Sequence, residues 1–177
     1  HGTHPITQAL PACETFGDSY PYGPVLVPTR AAVNAGGFTT LGSATTFWFV
    51  NKPGLILQEF GKGGAGNGLP GARGAEDYAV VWSVAMPLPA HLLRECARYA
   101  GGHIWCEDTA VVLASDTVAA LHSVKTGPHT LKLPTPRPVW DLLTGERLGS
   151  NLTALTVDMT CPETRVFYFG EENPYGK

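Results

Sequence analysis

The sequence predicts a mixed α/β chain, and three observations predict it. A strand–helix–strand pattern runs from Tyr78 to Cys106, a series of short strands follows from Ala110, and Gly 21 and Pro 15 out of 177 residues supply the turns between them. Apolar residues make up 44%, enough for a real core, whereas charged residues reach only 15%. That balance favours short strands and tight loops over long, charged surface helices. The length suits one ordinary domain or a medium one with a small companion.

Taken in order, residues 4 to 30 are irregular and carry five prolines, at 5, 11, 21, 24 and 28. His4-Pro5-Ile6-Thr7 reads as the start of a turn or short helix, and Val25-Leu26-Val27 as a short strand. Arg30 to Gly37 is a small, Gly-bounded segment, and Thr39 to Gly42 looks like the end of a strand. Thr45 to Asn51 is aromatic and β-branched, hence a strand, with Lys52-Pro53-Gly54 as the turn and Leu55 to Phe60 as the return. Residues 61–75 form a Gly-rich, low-complexity loop whose ordering gains little.

Tyr78 to Met86 is a buried strand and Pro87-Leu88-Pro89 a turn. Ala90 to Ala100 is a helix with Leu92, Leu93, Cys96, Ala97 and Ala100 on its apolar face. Gly101-Gly102 ends the helix, and His103 to Cys106 resumes as a strand, the grammar of a parallel sheet. Beyond lie strands at Ala110–Ser115, Val118–Ser123, Thr130–Leu133, Val139–Leu143, Ala154–Met159 and Arg165–Phe169. Turns separate them at Ser115-Asp116, Thr126 to Pro128, Pro134 to Pro138, Leu143 to Gly145 and Cys161-Pro162, as in a small antiparallel sheet or sandwich. The domain boundary is placed at 125/126.

The run from Val80 to Asp108 (VVWSVAMPLPAHLLRECARYAGGHIWCED), followed by AVVLASDTVAALHSV, resembles a strand–helix–strand end found in a known family. That family is the glutamine-amidotransferase-like, or trimerization-like, domain of some β-galactosidase-type bacterial glycoside hydrolases. The segment HTLKLPTPRPVWDLLTGERLG, closing in ETRVFYFG, is similar to the small β-domain at the end of those polypeptides. The resemblance spans residues 78 to 170 and covers the first 77 only loosely. It implies a partial flavodoxin-like (amidotransferase-like) layer over residues 1–125 and a small β-domain over 126–177. It further implies a structural or assembly role beside a sugar-cleaving barrel that holds the catalytic carboxylates. An eightfold barrel of ~250 residues does not fit in this chain, so the chain reads as a tail or detached relative.

An amidotransferase nucleophile needs a cysteine on a tight strand-to-helix turn. Cys96 lies mid-helix, Cys106 closes a strand without flanking glycines, and Cys13 and Cys161 adjoin proline-rich turns. Ser43, in Leu41-Gly42-Ser43-Ala44, lacks the second glycine of a serine-hydrolase elbow. Gly61 to Gly66 spells G-x-G-x-x-G, but the following Asn67-Gly68-Leu69-Pro70-Gly71 cannot supply the helix that phosphate binding requires. His103 with Cys106, and His91 with Cys96, are near in sequence but diverge on a strand or helix, so no metal site is expected. Glu107 and Asp108 are adjacent and diverge, while Glu76 and Asp77 follow the Gly-rich loop; neither pair makes a glycosidase constellation by itself.

Four tryptophans and two tyrosines bear on sugar stacking. Trp48 and Trp82 sit in apolar strands and read as core, with Tyr20 and Tyr22 in the N-terminal loop. Trp105 and Trp140 are the candidate ligand-binding residues. The four cysteines allow three disulfide pairings and read more simply as thiols. Asn151-Leu152-Thr153 matches the glycosylation triplet, a string that chance supplies often.

The net charge of -3, with Lys and Arg scattered, argues against nucleic acid, and no stretch approaches the ~20 apolar residues of a membrane span. The chain opens at His1-Gly2-Thr3-His4 without a signal-like region, which fits a fragment or processed piece. The sequence therefore leads to a non-catalytic structural or assembly module, with no cofactor and no catalytic residue. Its expected partners are a catalytic glycoside hydrolase domain, or further copies of itself in a homo-oligomer. A carbohydrate-binding module is the alternative, and a hydrolase site completed by another chain is the second. Its location stays open between a bacterial cytoplasm and an extracytoplasmic setting.

Overall fold

A computed structural model of the chain describes residues 3–17, 26–46, 50–60 and 78–176. The chain divides into two compact units, His1–Gly102 and His103–Lys177.

The first unit begins with α1 (Pro5–Gln8). Proline at the first helical position loses nothing, because that N–H has no intrahelical partner, and His4 Nδ1 accepts the Ile6 N–H at 3.3 Å. Next comes α2 (Arg30–Ala35), capped by Thr29, whose hydroxyl accepts the Ala32 N–H at 3.1 Å. Then β1 (Thr39–Thr46), β2 (Val50–Phe60) and β3 (Tyr78–Ser83) form one sheet in that order, antiparallel throughout.

The β1–β2 ladder runs to the pair Thr46↔Val50, so the expected turn at Lys52-Pro53-Gly54 lies inside β2. Pro53 faces Ser43 where β3 has already ended, so its missing N–H costs the sheet no ladder bond to that neighbour. Gly54 is there because β1 crosses close by: a Cβ would meet Ala44 Cβ at 2.5 Å.

After β3 the chain forms α3 (Ala90–Tyr99), one residue shorter than expected. Gly101, at φ +82°, allows Gly102 N–H to reach back to Ala97 O at 2.8 Å. Leu92 and Tyr99 are buried and Cys96 is half-buried beside them, while Leu93 stands 50% exposed. Tyr99 takes the inward place because its hydroxyl donates to Glu59 Oε1 at 2.7 Å, so the ring is buried without orphaning its polar end. Ile6, Leu55, Leu57, Leu92 and Tyr99 make this unit's core.

The second unit holds β4 (Ala110–Ala114), β5 (Val118–Ser123), β6 (Gly127–Asp141), β7 (Arg147–Met159) and β8 (Glu163–Tyr168). They form one antiparallel sheet in the order β4-β5-β8-β6-β7. Its core is Cys106, Ala119, Leu121, Leu131, Leu133, Val139, Met159, Phe167 and Phe169. The Pro134 to Pro138 stretch, expected as a turn, lies within β6. There the register passes from Lys132↔Ala154 to Arg137↔Leu152, so five steps on β6 face two on β7. The prolines, lacking N–H groups, are absorbed as a bulge rather than ending the strand.

These sheets overturn the expected α/β, partial flavodoxin-like (amidotransferase-like) layer: the chain is mostly β, with two antiparallel sheets. β3 runs antiparallel to β2, and the segment expected to resume beside it, His103 to Cys106, is irregular and belongs to the second unit. There Trp105 O accepts the Lys132 N–H at 2.7 Å, which ties the segment to β6. The division at 102/103 rather than 125/126 follows, because β4 and β5 share the sheet of β6 to β8. Val118–Ser123 has the bounds expected of it. Leu26 and Val27 are not in a strand, while Val25 lies outside the described residues.

Candidate functional site

One cluster of polar side chains inside the second unit is Cys106, Asp108 and His129. β6 alternates His129, Leu131 and Leu133 inward, so strand periodicity carries a histidine into the core with 0% exposure. The segment before β4 brings Asp108 against it: His129 Nδ1 lies 3.1 Å from Asp108 Oδ1, and Nε2 lies 2.9 Å from Lys125 O. A carbonyl and a carboxylate only accept, so this setting favours the protonated ring, in which both nitrogens donate. The Lys125 carbonyl and then Asp108 hold its pKa above the ordinary 6.5. Burial works against the Asp108 carboxylate, but hydrogen bonds from Cys106 and His129 outweigh it and lower its pKa.

Cys106 Sγ donates to the same Asp108 Oδ1 at 2.9 Å. The three residues resemble a cysteine–histidine–aspartate triad in content but not in wiring. The thiol hydrogen goes to the carboxylate, and both imidazole nitrogens are engaged by other acceptors, Asp108 and the Lys125 carbonyl. With both nitrogens so engaged, neither ring position is open to a metal. The cluster is an ion pair with a thiol donor, and it fastens the 103–109 segment to β6.

A second cluster secures the sheet's turns. Asp141, 2% exposed, accepts the Leu143 and Thr144 N–H groups at 2.8 and 3.0 Å and an Arg165 bond at 3.3 Å. Those bonds lower its pKa in spite of burial, which opposes them. Arg165 also donates to Glu163 Oε1 at 2.6 Å, while Glu163 Oε2 accepts the Thr160 N–H at 2.8 Å. The Thr160 amide, then Arg165, hold Glu163 at about 2. Ser123, fully buried, donates to Thr160 O at 2.6 Å.

No family model, curated protein or solved structure matches this chain. Its residues therefore speak for themselves. Trp105 and Trp140 are both half-buried but do not share a platform. Trp140 faces Tyr168 across the register, while Asp141 and Phe167, one residue on, point to the core. The Trp140 indole donates to Gly170 O at 2.9 Å, and the Arg147 guanidinium lies 5.4 Å over its ring. Trp105 instead stacks on Phe169 at 5.9 Å, with His103 edge-on at 5.0 Å, against the core. The two indoles thus occupy opposite faces of the sheet at β8.

His103 Nε2 is engaged by Lys132 O at 2.9 Å, and His91 Nε2 lies 3.2 Å from Glu14 Oε1. Among the described residues no group of three or more His, Cys, Asp or Glu is placed to hold a metal. Glu107 and Asp108 diverge, Glu107 outward to Lys132 Nζ at 3.0 Å and Asp108 inward. Ser43 sits in β1 opposite Pro53. Cys13, Cys96, Cys106 and Cys161 are free thiols. Asn151 is exposed on β7. Trp48, Tyr20, Tyr22, Glu76, Asp77 and the Gly61–Gly66 string lie outside the described residues. No helix of the described residues is long and apolar enough to cross a membrane.

His129 and Asp141 were not singled out from sequence. The signal was present for His129, whose spacing from Leu131 and Leu133 already placed it on the apolar face. Asp141 stood just before the Leu143 to Gly145 turn, a position where aspartate accepts turn amides.

Proposed function

We propose that this chain is a non-catalytic assembly module that packs against a sugar-cleaving catalytic domain or against copies of itself. One observation carries the reading: strands at the ends of both sheets display apolar side chains to solvent. Val111 and Leu113 on β4 are 51% and 72% exposed, and Tyr78 and Val80 on β3 are 56% and 45% exposed. Single apolar residues on a surface are ordinary, but alternate positions along an end strand make a stripe that a partner can cover. The buried polar groups supply a second support. His129, Asp141 and Ser123 direct their hydrogen bonds to the chain's own acceptors and donors, which stiffens turns. The sugar-cleaving partner rests on the resemblance of residues 129 to 170 to a closing β-domain.

Sedimentation velocity tests this, on the chain alone and on its mixture with a β-galactosidase-type barrel domain. A heavier species is expected in at least one. A monomer in both overturns the reading, as does turnover of a chromogenic galactoside by the isolated chain. Retardation on a polysaccharide gel that Trp140→Ala abolishes moves it to carbohydrate binding.

A further inference from the structure

We infer that the free edge of β4 pairs with β4 of a second copy, antiparallel and centred on Val112, to join two five-stranded sheets into one. The inference deepens the assembly reading and rests on it for the existence of a partner. β4 ends the sheet, and its five residues, Ala110-Val111-Val112-Leu113-Ala114, carry no charge, no proline and no glycine. Charge and proline are two of the usual protections of a strand edge, and β4 has neither. The opposite end strand, β7, carries Arg147 and Asp158.

The hairpin settles which amides face outward. Ser115 N–H donates to Val118 O at 2.8 Å, so Ser115 and Val118 are a hydrogen-bonded pair. Such pairs recur every second residue, which makes Leu113↔Ala120 and Val111↔His122 the next two. The backbone groups of Val112 and Ala114 therefore point away from β5, as does the carbonyl of Ala110, whose N–H is donated to Asp108 O at 3.1 Å.

The side chains then choose the partner. Val111 and Leu113 share the outer face, whereas Val112 packs on the core. In a two-fold pairing about Val112, the outward amides meet as Val112 with Val112 and Ala110 with Ala114. Val111 of each copy then sits opposite Leu113 of the other. Those are non-hydrogen-bonded positions, where the Cα atoms approach to about 4.5 Å and side chains touch most closely. Every exposed apolar residue of the strand thus covers its counterpart, and small alanines flank the axis. This strand is complementary to itself, which favours a second copy over an unrelated occupant.

Sedimentation equilibrium on the full chain reads the association. The wild type is expected to dimerise. Leu113→Lys, at a position 72% exposed that leaves the core alone, is expected to weaken the dimer about tenfold or more by burying an ammonium against Val111. Register is read by trapping: in a Cys13→Ser, Cys161→Ser background, Val111→Cys chains mixed with Leu113→Cys chains are expected to form a mixed disulfide dimer on mild oxidation. A monomeric wild type overturns the inference, and the barrel mixture then decides the assembly reading separately. A dimer indifferent to Leu113→Lys overturns the β4 interface while leaving assembly standing. A Lys-sensitive dimer without the mixed disulfide overturns the register.

Discussion

The first unit satisfies its backbone largely by helix and hairpin, and among its described residues Thr7 is the only buried polar side chain. The second unit is built from strands, and it buries His129, Asp141 and Ser123. The difference follows from where backbone hydrogen bonds go. The helices of the first unit leave amides only at their ends, where His4 and Thr29, neither buried, accept them, whereas reversals between strands of the second unit leave amides beside the core. Asp141 takes two of them at the β6–β7 turn, and Ser123 with Glu163 ties down the chain around Thr160. A strand-rich unit thus buries polar side chains to fix its reversals, and these three are better understood as fasteners than as reagents.

The largest expected effect comes from the apolar part of the comparison. Phe167 lies on β8, between β5 and β6, with 0% exposure. Phe167→Ala is expected to cost about 4 kcal/mol, the scale of an emptied aromatic site. Amide hydrogen exchange should accelerate first in β5 and β8. If α3 loses protection to the same degree, the two units do not unfold as the separate bodies their contacts describe.

Turn fastening comes next. Asp141→Ala removes the acceptor of two turn amides and a partner of Arg165, and is expected to cost about 2 kcal/mol, moderated because Arg165 remains partly solvated. Asp141→Asn keeps an oxygen for the amides and should recover part of the loss. Equal losses for the two variants, read by chemical denaturation, would show that the ion pair and not the turn carries the effect.

This contrast also explains how much of the molecule was legible beforehand. Helix α3 was readable because Gly101-Gly102 stops it, and β5 because a strand-length run from Val118 to Ser123 has turn signals on both sides. Strand direction was not readable. Alternation reports which face of a strand is buried and nothing about its neighbour, so a strand–helix–strand order suggested a parallel sheet, whereas His103 to Cys106 forms no strand beside β3. Proline misled twice, at Pro53 and at Pro134 to Pro138, because a missing N–H is tolerated wherever the sheet has no partner for it or bulges. Of the polar fasteners, Asp108 was noticed only as half of an adjacent acidic pair. Its partner His129 is 21 residues away, a proximity created by the sheet and invisible to spacing. The sheet likewise sends Trp105 and Trp140 to opposite faces, which composition could not foresee.

The smallest expected effect sharpens the comparison through pH, since a histidine in each unit shifts in the opposite direction. His129 has its pKa raised by the Lys125 carbonyl and Asp108, so the folded second unit binds a proton more tightly than the unfolded chain. Its contribution is fully present below 6.5 and is lost as pH climbs through the folded value. Asp108 sets the acid limit: its lowered pKa gives stability present above 3.8 and lost as pH falls through the folded value. In the first unit, burial lowers the pKa of His4 while Glu59 opposes, so its contribution is present above 6.5 and lost as pH falls. Hydrogen exchange from mildly acidic to mildly alkaline pH, corrected for the intrinsic rate, should show β6 protection weakening as α1 and α3 strengthen. His129→Gln should flatten the first trend and leave the second. Parallel trends in both units would mean that His129 does not bind its proton more tightly in the folded unit.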